Sequence, residues 1–179
     1  METDIRFTHQ TLVEQCKTGH ASSQYELYSL YVDAMYNVAL RFLGNKEDAE
    51  DMVQDSFVDA FKKLNSFKYE SSFGAWLKRI VINKSINYLK AKRIPVVPME
   101  QHEFHLTDEE AVSEEVVDIK KVKMGIARLP MGYQQIINLY LIEGYDHVEI
   151  AEILDITTST SKSQYHRAKK KLLELLSEL

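Results

Sequence analysis

The chain has 179 residues, of which 45% are hydrophobic and 27% charged, with a formal net charge of -5 and a single cysteine. That apolar content excludes disorder throughout, and the length suits one medium domain or two small ones. Cys16 alone cannot form an intramolecular disulfide, residues 1–6 lack the basic and apolar regions of a secretory leader, and apolar runs such as 80–82 or 139–142 fall far short of the ~20 residues that span a bilayer, so a soluble chain in a reducing cytoplasm is expected.

The acidic total hides an uneven distribution. Residues 1–93 hold 13 Lys/Arg and 12 Asp/Glu, residues 94–117 hold none and 7, and residues 118–179 hold 9 and 8. The surplus acid is confined to one short stretch, and each flanking part is near neutral.

In chain order, Leu27, Leu30, Tyr31, Ala34, Met35, Val38 and Phe42 recur at three- and four-residue spacing, which predicts a long amphipathic helix ending near Gly44. A second helix follows, with Asn45 as its N-cap, Glu47 and Asp48 at the positive end of its dipole, and Ala49, Val53, Phe57, Ala60, Phe61 and Leu64 as its apolar stripe. Asp48, Asp51, Gln54 and Asp55 are left on its polar surface. Residues 66–72 read as a polar loop carrying aromatics, before a third helix over about 73–92 that Pro95 and Pro98 forbid from continuing.

From residue 94 to about 115 there are prolines, acids and no basic residue, without helix or strand periodicity, so this segment is a linker between two domains, 1–93 and 116–179. Residues 116–129 predict a helix that Pro130 stops. Tyr133, Ile136, Ile137, Tyr140 and Leu141 predict another, stopping at Gly144. Asp146 can cap a helix over 147–154, and Thr157 or Thr158 one that reaches Leu176. Nothing alternates with period two. The fold class expected is all-α, as two small helical domains.

Residues 146–171 have the layout of a helix-turn-helix: Ile150, Ala151 and Leu154 inward, a tight turn near Asp155 and Ile156, then a longer helix. Small Ala151 lets the two helices cross closely. On the second helix Ser161, Tyr165, Ala168 and Leu172 face inward, and Ser159, Thr160, Lys162, Ser163, His166 and Arg167 face outward. Between residues 157 and 172 there are five basic side chains and no acid, so the local field is positive in an acidic protein. Side chains of this kind on the N-terminal half of such a helix donate to phosphates and base edges in the major groove.

Arg128-Leu129-Pro130, Glu143-Gly144-Tyr145, Glu149-Ile150-Ala151, Leu154, Thr160-Ser161-Lys162-Ser163 and Arg167-Ala168 resemble region 4 of extracytoplasmic-function (ECF) sigma factors of bacterial RNA polymerase. Ala39, Arg41, Gly44 and residues 48–57 (Asp48-Ala49-Glu50-Asp51 through Phe57) resemble region 2.2. Phe73-Gly74-Ala75-Trp76-Leu77-Lys78-Arg79-Ile80 with Asn83 resembles regions 2.3 and 2.4. The matches cover nearly all of the chain except the linker.

The resemblance implies a region 2 bundle and a region 4 helix-turn-helix, with core polymerase and promoter DNA as partners and no catalysis, cofactor, metal or small-molecule substrate. Asp48, Asp51, Gln54 and Asp55 fall where the family docks on the clamp helices of the largest polymerase subunit, and region 4 where it meets the flap of the second largest. Lys68, Tyr69, Ser71 and Ser72 fall where the family captures a flipped base of the minus-ten element. Lys78, Arg79, Asn83, Lys84, Asn87, Lys90, Lys92 and Arg93 then form a backbone-tracking surface with six basic residues and no acid from 78 to 93. Trp76 is read as core packing rather than base stacking. Ser159, Thr160, Lys162, Ser163, Gln164, His166, Arg167 and Lys170 are expected at the minus-thirty-five element. Family analogy adds an anti-sigma partner, which no residue here demonstrates.

Three positions depart from the family's pattern in region 4 and one in region 2: Ser161 where Val is usual, Gln164 where Arg is, Asp155 at a turn commonly Gly, and Asn87 where Asp is frequent. Asp tolerates a left-handed backbone better than most residues, so the turn survives. The class of ligand follows from the resemblance; a particular promoter sequence does not.

Two rival readings remain at this level. An autonomous helix-turn-helix regulator with an N-terminal sensor or dimerisation domain leaves the region 2 patterns unexplained. An enzyme or metal protein has only His102-Glu103-Phe104-His105 in its favour, set in the acidic linker without further Cys or His at ligand spacing.

Overall fold

The computed structural model describes residues 5–92 and 118–179. Among the described residues every regular element is helical, and the chain divides after Tyr88 into two compact units.

The N-terminal unit begins with a 3-10 turn, Ile5–Phe7, and a short helix α1, Gln10–Lys17, which buries only Val13 and Cys16. Helix α2, Ala21–Leu43, follows and stops where Gly44 turns left-handed at φ 70. A positive φ is open to glycine at little steric cost, which makes Gly44 a clean helix stop. Helix α3, Lys46–Lys63, starts on the expected cap: the Asn45 side chain accepts from the backbone N–H groups of Glu47 and Asp48. A 3-10 turn, Leu64–Ser66, and an irregular loop lead into α4, Phe73–Ala91. Ser72 opens α4, its hydroxyl accepting from the Ala75 N–H at 3.2 Å.

α2 packs along α3, and α1 against α2. The expected stripe of α2 is corrected at its edge: Leu27, Met35, Val38 and Phe42 are buried and Tyr31 half-buried, but Leu30 is exposed, as is Ala34. An ideal helix drifts against a fixed three- and four-residue count, so over 23 residues the marginal positions rotate toward water. α4 supplies Phe73, Leu77, Val81, Ile82 and Ile86, all fully buried.

The C-terminal unit comprises α5, Ile119–Arg128; α6, Met131–Ile137; a π-helical turn, Asn138–Ile142; α7, His147–Leu154; and α8, Thr158–Ser177. Asp118 caps α5, so this helix starts within the segment expected to be helical from 116; residues 116 and 117 lie outside the described residues. The single helix expected up to Gly144 is instead α6 followed by the π turn. That wider turn changes the facing of the residues it holds, and Leu141, expected inward, is exposed. α8 packs against α5, α6 and α7, with Leu129, Ile137, Ala168 and Leu172 at the centre.

Candidate nucleic-acid interface

α7, its turn and α8 form the helix-turn-helix. The Asp146 carboxylate accepts from the N–H groups of Val148 and Glu149 at 2.8 Å each, and Glu149 returns a bond to the Asp146 N–H at 3.0 Å, a complete capping box that fixes where α7 begins. α7 ends on Asp155, left-handed at φ 60 as expected, and Thr157 caps α8 through the Thr160 N–H. The capping box fixes where α7 begins, the Thr157 cap where α8 begins, and left-handed Asp155 makes the three-residue turn between them.

Along α8, Ser161, Ala168 and Leu172 are buried as expected and Tyr165 is half-buried. Tyr165 packs at a tilt on Tyr140 at 4.3 Å and edge-on to His147 at 5.7 Å, and His147 Nδ1 lies 2.9 Å from the Ser161 hydroxyl. Ser161 is therefore the partner that holds His147 in the angle between α7 and α8. Burial lowers the His147 pKa, with Lys162 and His166 acting in the same direction and Asp146 opposing them.

The outward face of α8 presents Ser159, Lys162, His166 and Lys170, exposed, with Thr160, Ser163 and Arg167 half-exposed beside them. Gln164 is corrected: only 4% exposed, it points into the unit and not toward a groove. It follows Ser161 by three residues and precedes Ala168 by four, which puts it on the inward face.

In the N-terminal unit, Asp51, Gln54 and Asp55 are exposed on one side of α3. Asp48 is separated from them in role, because its carboxylate accepts a short hydrogen bond from the Tyr88 hydroxyl and ties α3 to α4. On α4, Arg79, Asn83, Asn87 and Lys90 are exposed and Lys78 is half-buried, and Lys92, just past its end, is exposed. Lys84 is turned inward to α3, donating to Asp59 Oδ2 at 2.9 Å and to the Asp55 carbonyl at 3.2 Å, so it joins helices instead of lining the outer surface. The Asp59 carboxyl is held below its usual range chiefly by the bond from Lys84. Arg93 lies outside the described residues, as do His102 and His105. Among the described residues no group of three or more His, Cys, Asp or Glu is placed to hold a metal, and no helix is long and apolar enough to cross a membrane.

The loop before α4 leaves Lys68 and Glu70 exposed and Ser71 and Ser72 half-buried. Tyr69 is engaged from several sides, its hydroxyl donating to Glu14 of α1 at 2.6 Å. Trp76 stands half-buried at the end of the same aromatic group, 5.2 Å from Phe67 and 5.9 Å from Phe73. Glu14, Lys17 and the whole of α1 were missed by sequence reasoning; the only local signal is the three-residue spacing of Val13 and Cys16.

Two family models match the chain, Sigma-70 region 2 over residues 27–94 and Sigma-70 region 4 over residues 120–172. The ECF RNA polymerase sigma-E factor of Haemophilus influenzae is 30% identical over 177 residues, covering 92% of this chain and 93% of that protein. This chain belongs to the ECF sigma factors. SigW of Bacillus subtilis, another ECF sigma factor, is 28% identical over 179 residues, covering 93% of this chain and 96% of the relative. Two solved structures are similar at 25% identity and a TM-score of 0.57: CnrH in complex with the cytosolic domain of CnrY, covering 98% of this chain and 99% of that one, and the sigma factor RpoE of Bartonella quintana in complex with the anti-sigma factor NepR, covering 86% and 96%. The Sigma-70 region 2 match takes in most of α2, α3, the loop and α4 but begins beyond α1, and the region 4 match takes in most of α5 through most of α8.

Proposed function

We propose that this ECF sigma factor binds core RNA polymerase through the outer side of α3 and places two DNA-reading surfaces on a promoter, α4 with its preceding loop at the minus-ten element and α8 at the minus-thirty-five element. The observation that carries the reading is the outward face of α8, where Lys162, His166, Arg167 and Lys170 project with no acid among them from a helix fixed by a capped turn. Such a face suits phosphate contact along its length and base contact near its N-terminal half.

Each unit offers a separate partner surface. Asp51, Gln54 and Asp55 offer carboxylates and an amide to basic helices such as the polymerase clamp, where charge complementarity sets orientation and on-rate. The flap of the second-largest subunit is the corresponding partner of the C-terminal unit. Arg79, Asn83, Asn87, Lys90 and Lys92 line the outer side of α4 for the DNA backbone, without Lys84, which α3 engages. Tethering both units to polymerase raises the effective concentration of each for its DNA element, so neither needs tight affinity alone. The role is that of a non-enzymatic initiation factor working in the cytoplasm, where polymerase is. The complexes of CnrH with the cytosolic domain of CnrY and of the Bartonella RpoE with the anti-sigma factor NepR support a protein inhibitor as a further partner class.

Separation of function tests the assignment. Arg167→Ala should lower promoter-specific initiation by the ~1–3 kcal/mol of a bidentate base contact while core association is kept. Gln54→Ala should weaken core association and leave the promoter preference of the C-terminal unit unaltered. Unchanged promoter preference in the first variant, together with unchanged core affinity in the second, would falsify the two assigned surfaces.

A further inference from the structure

The loop ahead of α4 contains an aromatic residue in a conformation that side chains rarely adopt: Tyr69, at φ 58. A bulky residue stays left-handed only when its surroundings over-determine it. Those surroundings come largely from the segment before α2. The Tyr69 hydroxyl donates to Glu14 Oε1 at 2.6 Å, and Lys17 Nζ lies 2.8 Å from the same carboxylate oxygen. Lys17 also reaches the Phe67 carbonyl at 3.4 Å and stands 4.9 Å from the centroid of the Tyr69 ring. Phe7 stacks on that ring at 5.7 Å with planes 28° apart, and Phe67 packs against it at 4.7 Å.

The charge states agree with this geometry. The bonds from Lys17 and then Tyr69 hold the Glu14 carboxyl below its usual range, while burial and then the bond to Glu14 push the Tyr69 hydroxyl up. At neutral pH an ionised acceptor therefore faces a protonated donor, the stronger class of hydrogen bond. Tyr69 thus has its hydroxyl and ring occupied by protein, which corrects the expectation that it reads a base itself. Lys68 and Glu70 are the exposed side chains of the loop, with Ser71 half-buried beside them.

We propose that Glu14 and Lys17 of α1 are positioning residues for the minus-ten loop, clamping Tyr69 so that the loop meets an extruded base in one preorganised shape. This rests on the minus-ten role given to the loop above. Preorganisation acts by removing the ordering cost from the binding step, so a loosened loop still meets DNA but discriminates less between bases. Nothing in the region 2 match carries this, because it begins at residue 27, beyond α1.

The test uses full-length chain assembled with core polymerase. Open-complex formation is compared on a preferred template and on templates substituted at each minus-ten position, alongside core affinity. Glu14→Leu and Tyr69→Phe should each reduce the discrimination ratio, by roughly tenfold for loss of a charge-assisted bond, with core affinity unchanged. Glu14→Gln keeps an acceptor and should retain most of it, a rescue that a merely structural role for the charge would not give. The Leu/Phe double variant should be no worse than the worse single, since both remove one interaction. If Glu14→Leu fails to fold, Tyr69→Phe, which removes one oxygen, carries the test. Full discrimination in Tyr69→Phe overturns the proposal, and so does a gain in opening rate, which would make α1 a lid. A Lys68→Ala/Ser71→Ala control separates the two levels: if it too leaves discrimination intact, the loop does not read DNA and the minus-ten assignment fails; if it lowers discrimination while the clamp variants do not, only the positioning role fails.

Discussion

Two glycines in helices should respond unequally to the same substitution, one destabilised and the other nearly neutral. At Gly74, in the first turn of α4, an added Cβ would lie 2.7 Å from Tyr31 Cε1. Ordinary carbon contacts are about 3.5–4.0 Å, so the ring must retreat by roughly an ångström. It is poorly free to do so: its hydroxyl is 3.0 Å from His9 Nδ1 and its edge meets Phe73 at 5.2 Å. Overpacking of this kind costs about 2 kcal/mol, against up to about 1 kcal/mol gained from helix propensity, so Gly74→Ala should lose at least about 1 kcal/mol. At Gly125, buried in α5, the Cβ would meet Leu176 Cδ2 at 2.9 Å and Leu172 Cδ1 at 3.0 Å. These are the far ends of rotatable side chains near the end of α8. A rotamer adjustment costing about 0.5–1 kcal/mol nearly cancels the propensity gain, leaving Gly125→Ala within about 0.5 kcal/mol of the parent. Denaturant unfolding reads both. Trp76 is the sole tryptophan and packs beside Phe73, so its fluorescence follows the N-terminal unit, while far-UV dichroism follows the helices of both units and shows any transition that the fluorescence does not. A Gly74→Ala chain as stable as the parent, or a larger loss at Gly125 than at Gly74, would refute the reasoning from contact distance.

Other consequences follow from the caps and ionisable groups. Asp146→Ala removes both hydrogen bonds that the Asp146 carboxylate accepts and should destabilise the C-terminal unit by about 1–2 kcal/mol, whereas Asp146→Asn keeps the acceptor and should cost a few tenths; equal melting of the two variants would contradict the cap. His147 titrates below its ordinary value in the folded unit, so as pH falls through about 6.5 the unfolded chain takes up the proton first and stability is lost on the acid side, with no contribution above it. Melting of the C-terminal unit between pH 7.5 and pH 5 should show this loss, and His147→Gln should flatten it; an unaltered slope would remove His147 from the account. Lys84→Gln should weaken the link between α3 and α4 and lower stability by no more than about 1 kcal/mol, with the effect shrinking in high salt because the pair is partly exposed; salt-independent loss would point to the backbone contact instead.

How far the sequence revealed the fold depended on whether the signal was local. Asn45, Asp146 and Thr157 each announce a helix start through one side chain and the next three residues, and all three cap as expected. Asp155 was readable as a left-handed turn for the same reason. Gln164 misled because its polar identity outweighed its spacing: positions 161, 164, 168 and 172 share a face, and α8 buries that face against several helices. Lys84 looked like one more cation in an acid-free run because Asp59, its partner, lies 25 residues away on α3. The Glu14 and Tyr69 contact spans 55 residues, and α1 is a short polar helix with two buried side chains, so no window along the chain displays it. Local chemistry announces elements and caps; which charged residues remain at the surface is decided by tertiary packing.

The central claim is that this ECF sigma factor confers promoter choice on polymerase, and run-off transcription with core enzyme over a randomised promoter pool tests it most directly. The account predicts transcripts that depend on added protein and enrich two spaced elements, with Arg167→Ala relaxing the upstream one alone. Initiation that is indifferent to the protein, or enrichment of a single element that the isolated chain binds without polymerase, would contradict it.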